Sequence, residues 1–390
     1  MHASPLEGLE GAAAAAAPTP AGSLIAVLAG AGVAWGALSY VALTIGVLAE
    51  GYGFTLNEAA ALATLELAAM AAASMSGGRV LECVPVRHLA LAGGLLAGLA
   101  NGLSALTHGG LALGVLRVAA GVGLGWMAAG LNTAISQSRA AQRLFIQANF
   151  GCIALAAAFF AAMPELYGRF GWARYFEGYG ALCVLGALAM QWLPRPAVAE
   201  RAVPAVRAGR LACGRVVLFL AVSVIWLCYA AIWSLTERFG RELGLTERAV
   251  GHALGMGTLS GLLGAALATA LAGRVKPRDA LIGTCLASGL CYVWMGYCTG
   301  ALSYTAMLSV WGVVFCPILA YAYAMAAQVD PSGALARWIG GGTACATALG
   351  PILGARLAQL LSYRGAGLLA CLGTACACGV IARLLSTRER

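Results

Sequence analysis

The chain has 390 residues, of which 61% are hydrophobic and 10% are charged, with a formal net charge of +9 and a mean hydropathy of +0.85. Soluble proteins carry about 25% charged residues, so this composition excludes a water-soluble globular protein and indicates lipid as the solvent. The basic residues stand singly in short loops instead of forming a polar patch, so no nucleic-acid partner is expected.

The predicted elements follow an Ala-rich start, residues 1–22, which we interpret as a disordered tail. Twelve apolar segments come next, each near the roughly 20 residues that a spanning helix needs. Lipid tolerates only helices or closed barrels, and the segments lack the alternation of barrel strands. An all-α polytopic membrane protein with twelve transmembrane helices is therefore predicted, with segments at 24–49, 57–78, 87–108, 110–138, 143–166, 171–193, 214–239, 247–273, 277–299, 301–327, 334–360 and 364–386.

The twelve segments are predicted to form two six-helix bundles, residues 23–193 and 214–390, joined by a linker with Pro and Arg at 194–213. Short matches recur in the same order in both parts. GRV at 78–80 recurs at 273–275, and EGYG at 50–53 has a counterpart in ERFG at 237–240. The pattern predicts a duplicated unit and two pseudo-symmetric halves.

Loop charge predicts the orientation of the chain. Basic residues collect mainly in the linker, in the even-numbered loops and near the C-terminus. Because cytoplasmic loops are enriched in Lys and Arg, both termini and the linker are expected in the cytoplasm. We expect a monomer in a bacterial inner membrane, with lipid as its surroundings.

A charged turn after segment 2 carries a family resemblance. Its pattern Gly78-x-x-x-Glu82-x-x-x-x-Arg87 resembles the loop 2–3 signature of the major facilitator superfamily. The turn that begins at Gly273 looks like a shortened second copy. Segment 4 contains RVAAGVGLG at 117–125, similar to the Arg- and Gly-containing helix 4 signature, and WAR at 172–174 fits the family's loop 5–6.

The resemblance implies the superfamily's fold, with two bundles that rock around a central binding site. It also implies a gate or latch on the cytoplasmic face, formed by Gly78, Arg79, Glu82, Arg87, Gly273 and Arg274. Departures from the signature at 83, 85 and 86 leave fewer cations, so such a latch should be weaker than is typical of the family. The alternative interpretation is a solvated turn whose arginines only set topology.

Ionisable residues inside spanning segments are costly and are therefore functional candidates. Glu66, in the middle of segment 2, is the predicted proton-coupling group, and a structural Glu is the alternative. Arg117 in segment 4 and Arg356 in segment 11 are predicted to bind substrate, which favours an anionic solute. Helix packing for the first, and snorkelling to the interface for the second, are the alternatives.

Aromatic and amide residues in segments 1, 4, 5, 7 and 10 are candidates for the lining of a central cavity. Packing or lipid contact is the alternative for each. The predicted set is Trp35, Tyr40, Asn132, Gln147, Asn149, Tyr229, Trp233, Trp311 and Tyr321. Glu50 and Glu237, at the outer ends of segments 1 and 7, are predicted external gate residues, with solvated loop acids as the alternative.

These features predict a secondary active transporter of a small organic solute, coupled to protons. Export of drugs or a secreted metabolite is the first alternative. A membrane-embedded enzyme or a non-transporting sensor is the second, but the chain has no H-E-x-x-H motif or convergent His and Cys set. The chain also has no phosphate-binding G-x-x-x-x-G-K-[ST] loop, so ATP is not expected to drive it. No cofactor and no metal are expected.

Overall fold

The computed structural model describes residues 21–81, 83–138, 141–193, 213–271, 274–330 and 334–386. These residues form twelve helical units, α1–α12, one for each predicted segment. Six units belong to the first half, and six belong to the second half. The helices are α1a Ala21–Ala34, α1b Ala37–Gly46, α2 Leu56–Val80, α3 Val86–Ser104, α4 Gly110–Ser136, α5 Ala141–Phe170, α6 Ala173–Ala189, α7a Cys213–Trp233, α7b Thr236–Glu242, α8 Glu247–Leu271, α9 Pro277–Met295, α10a Ala301–Phe315, α10b Ile318–Val329, and α11 and α12 within Ala334–Ser386.

Three segments predicted as single helices are broken. The two parts of α1 meet at 41° and α1b ends in a π-helical turn, Val47–Gly51. α7 breaks after Trp233, and α10 breaks at Pro317, which cannot donate the backbone hydrogen bond that a continuous helix needs. By contrast, two segments predicted as separate helices, α11 and α12, are almost continuous and are separated only by the non-helical Ser362.

By length and composition, seven helical stretches of the described chain can cross a membrane, and the bent pair α1a–α1b makes an eighth. One of the seven, Trp338–Arg383, contains both α11 and α12. The shorter helices α3, α6 and α9 complete the set. The structure therefore confirms the prediction of an all-α, twelve-helix architecture, whereas the predicted division at 194–213 lies almost wholly outside the described residues and stays a prediction.

The neighbours of each helix repeat between the halves. α2 packs on α4 as α8 packs on α10, α3 on α6 as α9 on α12, and α1 on α5 as α7 on α11. Two further contacts join the halves in a symmetric way, α5 with α8 and α2 with α11. This repetition is what the duplicated sequence motifs predict.

The turns at one end of the bundle repeat as well. Gly53 in the α1–α2 turn and Gly244 in the α7–α8 turn have φ of 73° and 78°. Gly171 in the α5–α6 turn has φ of 92°, and its counterpart between α11 and α12 is Ser362 with φ of 61°. These left-handed conformations reverse the chain tightly, so the helices on either side stay in contact at this end.

Glycines let α4 approach its neighbours closely. A Cβ atom on Gly121 would overlap the carbonyl oxygen of Glu66 on α2, and one on Gly123 would overlap that of Gly93 on α3. Small residues at such crossings are the usual means of packing helices in lipid. The glycine-rich stretch of α4 is thus a packing surface that brings α2 and α3 against it.

We predict that Gly123→Ala destabilises the protein by about 1–3 kcal/mol, because the added methyl group must displace backbone on α3. Gly283→Ala is the matched control, since nothing lies within 4 Å of a Cβ at that position; it should be neutral or slightly stabilising. Thermal melting of the detergent-purified variants, followed by tryptophan fluorescence, measures both. Equal melting temperatures for the two variants would contradict close packing at Gly123.

Candidate binding cavity and gate

A cavity of about 350 Å³ lies between the two halves. α1 and α5 contribute one wall, and α7, α8, α10 and α11 contribute the other. Its volume falls near the lower end of the roughly 300–1,000 Å³ that is typical of small-molecule sites. Among the described residues that line it, none carries a formal charge; the lining includes Trp35, Ser39, Asn149, Cys152, Trp226, Tyr229, Trp233, Thr258, Trp311, Phe315 and Thr347.

The wall formed by the second half is aromatic. Tyr229 stacks on Phe315 with their ring planes 10° apart, and on Trp233 with planes 18° apart. Trp311 meets Tyr229 and Trp233 edge to face. Because Trp226, Tyr229 and Trp233 are spaced by about one helical turn, α7a places their rings along one side of the cavity.

The three indole N–H groups of this wall all donate hydrogen bonds within the protein. Trp226 Nε1 donates to Thr347 Oγ1 at 2.8 Å, and Trp311 Nε1 donates to Ser288 Oγ at 2.9 Å. Trp233 Nε1 donates across the cavity end to the backbone oxygen of Ser39 at 3.1 Å. These bonds hold the rings in place and leave their apolar surfaces toward the cavity.

Glu66 and Arg117 form a buried ion pair, with Arg117 Nη1 3.1 Å from Glu66 Oε2. Arg117 Nη2 also donates to Asn101 Oδ1 at 3.0 Å and to Ser104 Oγ at 2.6 Å. The guanidinium carbon lies 4.6 Å from the centre of the Phe176 ring. Side chains from α2, α3, α4 and α6 thus converge on one cation inside the first half, and neither charged residue lines the cavity.

The end of the bundle that carries the α1–α2, α5–α6, α7–α8 and α11–α12 turns is closed by polar contacts between the halves; we call it the closed end. Glu50 on α1 pairs with Arg238 at 2.5 Å and with Arg241 at 3.3 Å, both on α7b. Glu165 on α5 pairs with Arg248 on α8 at 3.3 Å. Asn57 Nδ2 of α2 donates to Gln359 Oε1 of α11 at 2.6 Å.

Glu237 lies within the closed end and differs from the other acids there. The residue is 3% exposed, its Oε2 has no hydrogen-bond partner, and it forms no ion pair with the described residues. The carboxyl group rests on Gly46 of α1b, where a Cβ atom would overlap it. The ionisable groups around it are Glu50, Tyr167, Arg238, Arg241, Glu247, Tyr304 and Tyr363.

The structure brings five of the predicted lining residues together at the cavity: Trp35, Asn149, Tyr229, Trp233 and Trp311. It places the others elsewhere. Tyr40 is buried within the first half, where its hydroxyl donates to Gly32 O at 2.8 Å and its ring packs on Phe159. Asn132, Gln147 and Tyr321 do not line the cavity.

The two arginines predicted to bind substrate also lie away from the cavity. Arg117 is paired with Glu66 inside the first half, and the side chain of Arg356 is exposed. The prediction of an anionic solute depended on these two arginines. Because neither arginine lines the cavity, the structure gives that prediction no support.

The predicted cytoplasmic gate is described only in part. Glu82 and Gly273 lie outside the described residues, and of Gly78 and Arg79 only the helical backbone is described. Arg87 donates to the backbone oxygen of Leu193, which joins the start of α3 to the end of α6 within the first half. The side chain of Arg274 is exposed. The gate at this end stays a prediction.

Several lining residues escaped the sequence analysis. Phe315 lies two residues before Pro317, and a proline inside an apolar segment marks a break that exposes neighbouring groups, so a signal was present. Thr258, Thr347 and Cys152 resemble many other small residues in apolar segments. No local pattern separates them from packing residues.

Comparison with known proteins agrees with this geometry. The profile described as "Major Facilitator Superfamily" matches residues 22–337. A crystal structure of the nucleoside transporter NupG is similar with a TM-score of 0.74 at 14% identity, covering 93% of this chain and 98% of that chain. A POT family transporter in complex with 5-aminolevulinic acid gives a TM-score of 0.70 at 13% identity, covering 94% and 95%. No curated protein sequence matches.

We predict that Arg117→Met destabilises the protein by about 3–5 kcal/mol, because Glu66 is left buried without its cation. The double variant Glu66→Met/Arg117→Met should recover much of the loss, since no buried charge remains. Thermal melting of the purified proteins compares the two. A double variant that melts no higher than Arg117→Met alone would show that the pair is not the reason for the instability.

Proposed function

Because the chain belongs to the major facilitator superfamily and is therefore a membrane transporter, we propose that it moves a small organic solute by alternating access in a step coupled to protons. The observation that carries the proposal is the cavity between the halves, which ends at Trp233 and Ser39 beneath a closed end held by ion pairs. Such a cavity reaches the opposite side when the halves rock.

The proposal includes the setting of the molecule. We propose that it acts as a monomer in the cell's inner membrane, with both termini and the linker in the cytoplasm and the closed end outside. The excess of arginine at the end with the linker supports this orientation. In this conformation the cavity would then communicate with the cytoplasm.

The closed end is proposed as the external gate, in line with the predicted roles of Glu50 and Glu237. Glu50 supplies one carboxylate to two arginines of the opposite half. All three side chains are about one-quarter exposed, so the pairs can exchange their partners for water when the gate opens. Partly exposed pairs are weak individually, which suits a contact that forms and breaks in each cycle.

Glu237 is the proposed proton site. Burial of a charged carboxylate without a cation in contact costs several kcal/mol, and a bound proton removes that cost. Closure of the gate over Glu237 should therefore accompany proton binding. Trp233 lines the cavity four residues earlier, so the proton site and the solute site lie on consecutive parts of α7.

Glu66 remains the second candidate for proton coupling. Its carboxylate is paired with Arg117, and loss of that pair would leave the arginine buried among neutral groups. The pair also lies inside one half, where rocking of the halves does not by itself break it. We therefore place Glu66 behind Glu237 and propose experiments that separate them.

We predict that Glu50→Gln shifts the population toward opening of the closed end, because the two arginines lose their shared counter-charge. Spin labels at Phe170 and Leu360, exposed on opposite halves at this end, report the distance in a cysteine-free background. Glu58→Gln is the matched control, since the carboxylate of Glu58, in the first turn of α2, accepts hydrogen bonds from Thr55 N and Oγ1 of the same half. Unchanged distances in Glu50→Gln would contradict its role as a gate.

We predict that Glu237→Gln transports solute without dependence on a pH gradient, whereas Glu66→Gln keeps that dependence. Proteoliposomes with imposed gradients of either direction measure both, and the direction that accelerates transport tells uptake from export. The reverse result would assign coupling to Glu66. Retention of coupling in both variants would overturn the proposal that either carboxyl carries the proton.

A further inference from the structure

The two walls of the cavity offer different chemistry to a solute. The wall of the second half presents the nearly parallel rings of Phe315, Tyr229 and Trp233. The wall of the first half presents the indole of Trp35 and the amide of Asn149. A solute held between them meets flat apolar surface on one side and hydrogen-bonding groups on the other.

The flat wall favours a planar ring. Aromatic pairs in stacked or edge-to-face arrangements gain about 0.5–1.5 kcal/mol beyond the burial of their area. Of the near-parallel rings, Trp233 is held by its hydrogen bond to Ser39 O. Trp226 and Trp311, held by their own hydrogen bonds, pack against Tyr229 at an angle and support the stack. A planar solute that enters parallel to the stacked rings extends the stack without reorganising it, whereas a bulky aliphatic solute does not.

The polar groups define the edge of the solute. Asn149 is exposed to the cavity and makes no hydrogen bond with the described residues. Its amide offers both a donor and an acceptor, which matches a solute edge that also carries one of each, such as a carboxamide, lactam or amino-imine. Tyr229 also lines the cavity, and its hydroxyl makes no hydrogen bond with the described residues.

The absence of charged residues from the described lining narrows the class of solute further. The described lining contains neither an arginine or lysine to pair with an anion nor a carboxylate to pair with a cation. An ion that left water for this cavity would lose its hydration without gaining a counter-charge, which is costly. A neutral solute loses only hydrogen bonds that Asn149 and Tyr229 can replace.

We propose that the cavity binds an uncharged, planar aromatic solute with an amide-like edge, which stacks on the ring wall while Asn149 bonds its edge. The proposal rests on the proposed function, in that the cavity is taken as the solute site of the transporter. Because the solute touches both halves, its binding would draw the Asn149 wall toward the ring wall.

Binding to the purified protein tests this without requiring transport. The probes are nicotinamide, its anionic analogue nicotinate, its cationic analogue 1-methylnicotinamide and the non-aromatic cyclohexanecarboxamide, with quinoline-3-carboxamide as a larger neutral ring. Tryptophan fluorescence of the nanodisc-reconstituted protein gives Kd. At least one neutral aromatic amide should bind at least tenfold tighter than each of the other three. Equal or tighter binding of an ion or of the aliphatic amide, or failure of both neutral rings, overturns the proposal.

Two variants locate the binding in the cavity. Asn149→Leu should weaken binding of the neutral ring about tenfold by removing the edge contact, and Tyr229→Leu should weaken it by removing a stacked ring. Asn132→Leu is the matched control, because Asn132 is exposed on α4 and does not line the cavity. Each variant must keep the melting temperature of the parent protein. If Asn132→Leu and Asn149→Leu weakened binding equally, the binding site would lie outside the cavity.

Transport assays separate this inference from the proposed function. If the neutral ring binds with the expected variant pattern but does not cross proteoliposomes, the transport proposal fails and the binding inference stands. If a different solute, charged or aliphatic, is transported while the rings do not bind, the binding inference fails and the transport proposal stands.

Discussion

The closure of one end by contacts between the halves is the interaction on which the rest of the structure depends. Glu50 reaches across to two arginines of α7b, while Gly46 leaves room for the Glu237 carboxyl group against α1b. These contacts bring α1 and α7 together beyond the cavity. Without them the space between the aromatic wall and the Asn149 wall would be open at this end. It would then be a channel instead of a pocket with one closed end.

The distribution of charge follows from the cost of ions in lipid. Arg117 and Glu66 are buried, but they neutralise each other. Arg117 also donates to Asn101 and Ser104 of α3 and lies over Phe176 of α6, so the pair ties four helices of the first half together. At the closed end the ion pairs keep contact with water. The described lining of the central cavity is left without formal charge. The packed interior of the first half, the proposed gate and the proposed solute site thus use polar groups in three different ways.

The extent to which the sequence predicted the molecule can be judged from particular residues. Length and hydropathy located all twelve helices, because a spanning helix needs a long apolar run wherever it packs. The same signal missed the breaks at Trp35 and after Trp233, since apolar composition continues through both. Pro317 was visible, but it was read as part of segment 10. The glycines of α4 were noticed as part of a family signature, and the structure shows that they let α2 and α3 pack closely against α4.

The candidate site was predictable only in part. The aromatic residues spaced along one side of α7 are a local pattern, and Tyr229 and Trp233 do line the cavity. Tyr40 also lies in an apolar segment, but it packs inside the first half. Arg117 attracted attention as an intramembrane cation, which was justified by its cost. Its distance from the cavity could not be predicted, because it depends on which way α4 is rotated in the bundle.

The sequence by itself determined the solvent, the helical class, the number of segments, the duplication and the family, since each depends on composition, spacing or a short motif. Only the tertiary structure decided which polar groups meet. Contacts such as Glu50 with Arg238, or Asn57 with Gln359, join residues far apart in the chain. They depend on the packing angle and rotation of whole helices, to which many weak contacts contribute, and no single stretch of sequence carries that information.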